Sequence, residues 1–201
     1  TSGTLTAENE IRHVTAQFKW LRAIRKGWWR IRTARLPCIP LAGAYTGAVQ
    51  TPVQIQIVSD FVCPWCYIAK RRLEAALALR PGLRPGLSWL PFQLSPDMPR
   101  EGKDRQAHYA EIFGPERARV IMDKMVATAA ADGLLFVTGP GARSPNTLAA
   151  HRLLYWAGQL PAIDQNALAE RLFAAHHPLS EDIGDPDVLV RLAAGVGMMS
   201  D

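Results

Sequence analysis

The sequence predicts an α/β fold in which a strand–helix–strand unit is followed by a run of helices. Residues 53–58 alternate polar and apolar side chains, with β-branched residues at the apolar positions, which is typical of a strand. Residues 87–92 form a second strand-like run. Between them a helical pattern extends from Pro64 to Leu79, where a Pro-Gly pair ends it.

The rest of the chain predicts helices separated by turns. Residues 95–103 are rich in turn formers, and the chain becomes helical after them. A capping residue followed by proline at the first helical position marks the start of a helix, and Ser144-Pro145 and Asp185-Pro186 both have this form. Further helices are expected from Gly114-Pro115 and over residues 163–177.

The net positive charge comes from the first quarter of the chain. The formal net charge is +5, but residues 1–51 carry +6 and the other 150 residues carry −1. The basic composition therefore indicates no specific nucleic-acid partner for the body of the protein. Residues 1–51 are predicted to be a basic extension, either disordered or a surface amphipathic helix suited to membrane contact. Translation from upstream of the true start is the other interpretation.

The uncharged stretch from Leu36 to Ser59 does not predict a membrane span. It contains Pro37, Pro40 and Pro52, whereas a span needs about 20 predominantly apolar residues. The long basic region before it is also unlike a secretory signal. We therefore expect a cytoplasmic protein.

The most specific feature is Cys63-Pro64-Trp65-Cys66, placed between the first predicted strand and its helix. Disulfide exchange needs an accessible thiolate and a second thiol close enough to form an intramolecular disulfide. The positive end of the helix dipole favours the thiolate. We expect Cys63, nearer the helix start, to be the nucleophile and Cys66 to be a buried resolving thiol. Pro64 suits the first helical turn, and Trp65 is expected to tune the pair and face the substrate.

The cysteine pair has two other interpretations. A zinc site needs a second pair of ligands, but Cys38 stands alone and His176-His177 lack ligand spacing. The cysteines could also be buried structural thiols. Redox chemistry is favoured, with no metal and no cofactor beyond the redox-active disulfide.

Four ordered blocks of the sequence resemble the FrnE-type branch of the DsbA family. They are SDFVCPWCYI at 59–68, PFQLSPDMP at 91–99, SPNTLAAHRL at 144–153 and DIGDP at 182–186. The resemblance implies a thioredoxin-like fold with a helical insertion and thiol–disulfide oxidoreductase activity on a protein or small-molecule substrate. It also implies kinship to 2-hydroxychromene-2-carboxylate isomerases and kappa-type glutathione transferases. A glutathione-dependent isomerase or transferase of small aromatic molecules, with glutathione as co-substrate, is therefore the alternative function.

The resemblance divides the chain into three parts. After the extension of residues 1–51, residues 52–95 match the N-terminal β-α-β part of the thioredoxin-like domain, and residues 96–201 match the helical insertion. Family members continue past the position of Met199 into a cis-proline segment, two strands and a helix. We therefore expect a chain lacking the C-terminal β-β-α part, which keeps an inactive fragment as a further alternative.

Four residues are candidates for lining the cleft beside the cysteines, namely Asp60, Phe61, Asn146 and His151. His151 falls on an apolar helix face, where a hydrogen-bonded core histidine is the alternative interpretation. Asn146 is expected in the first turn of the same helix. The resemblance places this helix next to the cleft.

Overall fold

A computed structural model describes residues 53–198 of the chain, so the predicted basic extension lies outside the described residues. The elements follow the predicted order of strand, helix and strand before a run of helices. In chain order they are β1 (Gln54–Ser59), α1 (Pro64–Ala78), β2 (Gly86–Pro91), β3 (Lys103–Asp104), α2 (Arg105–Phe113), α3 (Pro115–Ala131), β4 (Arg143–Ser144), α4 (Leu148–Ala157), α5 (Gln165–His176) and α6 (Pro186–Ala194).

β1 and β2 lie side by side as a parallel pair, with Ile57 opposite Trp89 and Val58 opposite Leu90. Because side chains alternate along a strand, Ile57 and Trp89 share the face that packs on the core. The opposite face is open, and Val58 is 59% exposed there. Since α1 starts directly after β1, the cysteine motif lies at the carboxyl end of this strand.

Phe173 of α5 lies at the centre of the core and joins the helices to the sheet. Its ring centroid is 5.1 Å from that of Phe61, 5.1 Å from that of Tyr67 and 6.0 Å from that of Trp89. Aromatic side chains bury large apolar areas and stack at such distances. This contact fixes the start of α1 relative to β2 and α5.

Glu170 ties the middle of α1 to α5. Its carboxylate accepts hydrogen bonds from the Tyr67 hydroxyl at 2.8 Å and from Lys70 Nζ at 2.7 Å, and it also pairs with Arg71. Lys70 is almost fully buried, so this interaction is poorly screened by water. Losing Glu170 would leave the buried ammonium paired with Glu74 alone.

The predicted start of α4 is wrong. Ser144 belongs to β4, where it pairs with Lys103 of β3, and α4 begins three residues later than predicted, with Thr147 at the N-cap position. The Asn146 side chain satisfies the first free helix N–H, because its Oδ1 accepts from Leu148 N at 2.9 Å. A strand pairing with a distant part of the chain therefore took precedence over a local capping signal.

The start of α6 is confirmed, because Asp185 caps the helix by accepting a hydrogen bond from Asp187 N at 2.9 Å. The domain boundaries predicted after residues 51 and 95 stay predictions. Among the helices of residues 53–198, none is long and apolar enough to cross a membrane.

Two neighbouring histidines, His176 and His177, are buried near the guanidinium of Arg105. Arg105 donates to the carbonyl oxygens of Val137 and Arg143, and its Nη2 lies 3.0 Å from His176 Nε2. Burial is the main cause that lowers the pKa of both imidazoles, and the Arg105 charge adds to it. For His177 the pKa falls to about 3, so its ring is neutral in the folded protein at neutral pH.

The burial of His177 predicts that the folded protein loses stability in acid. Between pH about 6.5 and the folded-state pKa of about 3, the unfolded chain binds a proton on this imidazole that the folded chain does not bind. The free energy of unfolding should therefore fall as the pH falls through this range. In His177→Gln, whose amide can still donate to the Phe61 carbonyl, the fall should be shallower by about 1.4 kcal/mol per pH unit.

Urea unfolding of the full chain at several pH values checks this expectation. The free energy of unfolding of the variant at neutral pH shows how much the substitution itself changes stability. Equal slopes in the wild type and the variant would contradict a neutral buried His177.

Candidate active site

The first turn of α1 holds the Cys63–Cys66 motif in the predicted position. Cys63 is the N-cap residue, and Pro64 is the first helical residue, where its missing N–H is not needed. The Cys63 N–H donates to the Asp60 carbonyl at 3.1 Å, and the Cys63 carbonyl accepts from Cys66 N at 3.1 Å. The turn after β1 and the helix start are thus hydrogen-bonded on both sides of Cys63.

Both thiols of the motif are free and partly exposed. The expectation that Cys66 is buried is wrong, because its side chain faces an open groove between β1 and α1. The groove has a volume of about 130 Å³ and is lined by Ile57, Val58, Ser59, Cys66, Ala69, Lys70 and Leu73. Trp65, between the cysteines, is 41% exposed. Both sulfurs are therefore within reach of another molecule.

The two thiols share a hydrogen bond that separates their pKa values. The hydrogen bond from Cys63 is the main cause of the lowered pKa of Cys66. The same bond is the main cause of the raised pKa of Cys63, and burial is the second cause. Physically, one proton held between two sulfurs stabilises the first thiolate and makes the second unfavourable. In the dithiol form the lowered pKa is thus on Cys66, whereas the helix position alone pointed to Cys63.

Main-chain N–H groups act on both sulfurs, and burial opposes them. Burial acts to raise the pKa of each thiol. The N–H groups of Trp65 and Cys66, in the first turn of α1, act to lower the pKa of Cys63. For Cys66 the main-chain N–H of Asp60 acts to lower the pKa, and this effect outweighs that of the negative charge of Asp60, which acts to raise it.

Asp60 and His151 form a buried pair behind the cysteines. Asp60 is 2% exposed and His151 is 4% exposed, so neither lines an open cleft as expected. Asp60 Oδ1 lies 3.2 Å from His151 Nε2, and Asp60 Oδ2 accepts from Leu94 N at 2.7 Å. His151 is a core histidine with a hydrogen bond, and its partner is the residue next to the redox motif.

The other two cleft candidates are structural. Phe61 is completely buried because its ring packs between His151 and Phe173. Asn146 precedes α4 and does not lie in its first turn; its Nδ2 donates to the Met98 carbonyl at 2.6 Å. Since its Oδ1 accepts from Leu148, its amide holds two loops together. The expectation that Phe61 lines a cleft is wrong, whereas that of Asn146, which is partly exposed, stays a prediction.

Tyr109 of α2 has an electrostatic interaction with Cys63 that the sequence analysis missed. Burial is the main cause that raises its pKa to about 12, and the charge of Cys63 contributes to the shift. Tyr109 is 46 positions from Cys63 along the chain, and no local pattern links a helical tyrosine to a distant cysteine. The helical region therefore contributes a phenol to the surroundings of Cys63.

Metal ligands are not gathered around the cysteines. Within residues 53–198, no three His, Cys, Asp or Glu side chains form a group that could hold a metal ion.

The thiol pair thus lies at the start of a helix that directly follows the first of two parallel strands. Residues 54–201 match the DSBA-like thioredoxin domain family. The chain belongs to this family. The DSBA-like match starts at β1 and continues through all the helices described above. The more specific FrnE-type branch stays a prediction.

Two relatives support this DSBA-like assignment. The crystal structure of the probable DsbA oxidoreductase SCO1869 from Streptomyces coelicolor superposes with a TM-score of 0.63 at 29% identity, covering 73% of this chain and 63% of that one. The uncharacterized protein YwbO of Bacillus subtilis (strain 168) is 26% identical over 146 residues, which cover 73% of this chain and 67% of YwbO. The chain thus spans less than two thirds of the Streptomyces protein's length.

The shared proton predicts an uneven titration of the DSBA-like thiol pair. In a Cys38→Ser background, which removes the third cysteine, the reduced chain should gain one thiolate and not two as the pH rises to about 9. The absorbance of thiolates in the ultraviolet measures this. In Cys66→Ala the sulfur that shares the proton is absent, so the pKa of Cys63 should fall below its value in the pair. Formation of two thiolates by the intact Cys63–Cys66 pair below pH about 9 would contradict the shared proton.

Proposed function

We propose that the protein is a thiol–disulfide oxidoreductase that cycles Cys63 and Cys66 between dithiol and disulfide. The observation that carries this proposal is the pair of free, partly exposed thiols at the first turn of α1. A pair that loses its first proton readily supplies a thiolate, and the second sulfur is adjacent to resolve the mixed disulfide. Membership of the DSBA-like family and the likeness to a probable DsbA oxidoreductase support the same chemistry.

Cys63 is the proposed nucleophile. Its residue is the N-cap of α1, and the N–H groups of Trp65 and Cys66 act to lower the pKa of its thiol. Once the reduced pair has lost one proton, the remaining proton passes from Cys63 to the Cys66 thiolate along their hydrogen bond. The resulting Cys63 thiolate attacks the substrate disulfide, forms a mixed disulfide and releases one substrate thiolate.

Cys66 completes the exchange. Its sulfur attacks Cys63 Sγ, so the Cys63–Cys66 bond forms and the bond from Cys63 to the substrate breaks. The electron pair leaves on the substrate sulfur, which takes up the proton that Cys66 gives up. The substrate disulfide is thereby reduced and the protein is oxidised. The reverse sequence of the same steps oxidises a substrate dithiol.

The substrate class is a protein or small-molecule thiol or disulfide, with glutathione as a potential co-substrate. The exposed Trp65 offers an apolar surface next to Cys63, and the groove beside Cys66 is lined mainly by apolar side chains. Such surfaces suit the apolar segments around cysteines in unfolded polypeptides. No resident metal or organic cofactor is needed for this exchange.

Single-cysteine variants test the function. In the Cys38→Ser background, Cys63→Ser should abolish the reduction of insulin disulfides, because no nucleophile remains at the helix N-terminus. Cys66→Ser should accumulate a mixed disulfide on Cys63, because the resolving thiol is missing.

Mass spectrometry of the intact chain identifies the trapped species, and Cys38→Ser alone is the control that should retain activity. Full turnover by Cys63→Ser, or an inactive Cys38→Ser protein with both motif thiols reduced, would refute the proposed function.

A further inference from the structure

We infer that the protein forms a two-fold symmetric dimer in which β1 pairs antiparallel with β1 of a second copy. The two-stranded sheets of the two copies then join into one continuous sheet of four strands. The inference goes beyond the proposed function, because it concerns the outer edge of β1 and does not depend on the redox chemistry of the cysteines.

The main chain of β1 has a free edge on the side away from β2. At the two ends of the parallel pair, Gly86 N donates to the Val53 carbonyl at 2.9 Å and Phe92 N donates to the Ser59 carbonyl at 3.2 Å. Because main-chain groups point alternately to the two sides of a strand, the odd-numbered residues of β1 face β2. No other strand of residues 53–198 pairs with the opposite side. The N–H and carbonyl groups on that side are those of Gln54, Gln56 and Val58.

The outer edge of β2, in contrast, is covered. Gln165 Oε1 accepts from Trp89 N at 3.0 Å, and Gln165 Nε2 donates to the Trp89 carbonyl at 3.4 Å. This side-chain amide takes the place of a neighbouring strand. Of the two edges of the β1–β2 sheet, the edge at which a further strand can be added is therefore that of β1.

β1 lacks the features by which edge strands usually avoid pairing. Its sequence, QIQIVS, contains no charged residue and no proline. In a two-fold antiparallel pair, a charge near the axis faces the same charge of the other copy, which is unfavourable. The nearby ammonium of Lys70 is already paired with Glu74 and Glu170. The edge is thus neutral, as pairing with an identical strand requires.

The side-chain alternation of β1 favours a second copy as the occupant of this edge. Ile55 and Ile57 are half-buried, whereas Gln54 and Gln56 are exposed on the other face of the sheet. An added strand continues both faces only if its own polar and apolar residues alternate in the same way. A two-fold axis perpendicular to the sheet keeps each face on its own side, so β1 itself meets this requirement.

The outward-pointing groups determine the register of the pair. Gln56 lies opposite Gln56 of the partner subunit, and Gln54 lies opposite the partner's Val58. In this register each of these pairs exchanges two main-chain hydrogen bonds. A register shifted toward the cysteines would need the N–H of Asp60, which is already directed at the Cys66 sulfur.

The second copy also contributes to the groove beside the cysteine motif. In this register the partner's Ile55 lies opposite Ile57, on the same face of the sheet. Ile57 lines the groove together with Ser59, Cys66 and Ala69. The partner therefore adds an apolar side chain to the wall of the groove that Cys66 faces.

Sedimentation equilibrium of the reduced full chain, in the Cys38→Ser background, measures the dimer. We expect a dimer at about 10 μM protein. Gln56→Lys and Gln56→Glu should each weaken dimerisation by at least about 5-fold, because each places like charges opposite each other at the two-fold axis. Gln56→Thr, which is neutral and favours a strand, should leave the dimer intact.

A mixture of two variants tests the register and does not depend on the stability of either variant alone. Equal amounts of the Gln56→Lys and Gln56→Glu chains should dimerise more tightly than either chain by itself, because a lysine then faces a glutamate across the axis. Gln159→Lys is the matched control. It makes the same substitution at an exposed position after α4 and should leave dimerisation unchanged.

Two results would overturn the inference. One is a full chain that stays monomeric at about 100 μM, which is the result expected if residues before β1 or a substrate segment occupy the edge instead. The other is a dimer that is equally tight in Gln56→Lys and in the wild type, because the copies then meet elsewhere. Neither result bears on the proposed function, which the reduction of insulin tests separately.

Discussion

The hydrogen bonds of Asp60 hold together the parts of the protein that surround the cysteines. Its main-chain carbonyl fixes Cys63, its Oδ2 binds the main chain at Leu94 after β2, and its Oδ1 contacts His151 of α4. One residue thus links the ends of two parallel strands, the start of α1 and a helix from the second half of the chain. Because the carboxylate is buried, losing its contact with His151 or with Leu94 would leave one of its oxygens without a hydrogen-bond partner, at a cost in stability.

The arrangement gives the two chemically identical thiols different surroundings. Cys63 lies at the N-cap, where free N–H groups favour negative charge, and Cys66 lies one turn later, close to a carboxylate. Their shared proton then sets which sulfur is charged at each stage. The asymmetry depends on the turn between β1 and α1, since a longer turn would separate Asp60 from the helix.

Local signals in the sequence predicted β1, the start of α1 and the position of the cysteine motif. The alternation in β1, the proline at the start of α1 and the cysteine spacing all depend on neighbouring residues, and the structure follows them. The start of α4 was mispredicted because Ser144 pairs with Lys103, 41 positions away. Asp60 and His151 were selected from the family resemblance, but their burial as a pair and the approach of Tyr109 to Cys63 depend on tertiary packing. A pattern of neighbouring residues carries no information about such contacts.

The link between α1 and α5 has a mechanical consequence. Tyr67 and Lys70 are anchored to Glu170 immediately after the cysteine turn, and Tyr67 also stacks on Phe173. Because α1 is held at this point, it cannot tilt as a whole when the Cys63–Cys66 disulfide forms or breaks. The movement of the two sulfurs must therefore be taken up by the main chain between Asp60 and Cys66. The oxidised and reduced forms should therefore share nearly the same scaffold and differ in the shape of one turn, so that a docked molecule would sense the redox state through that surface alone.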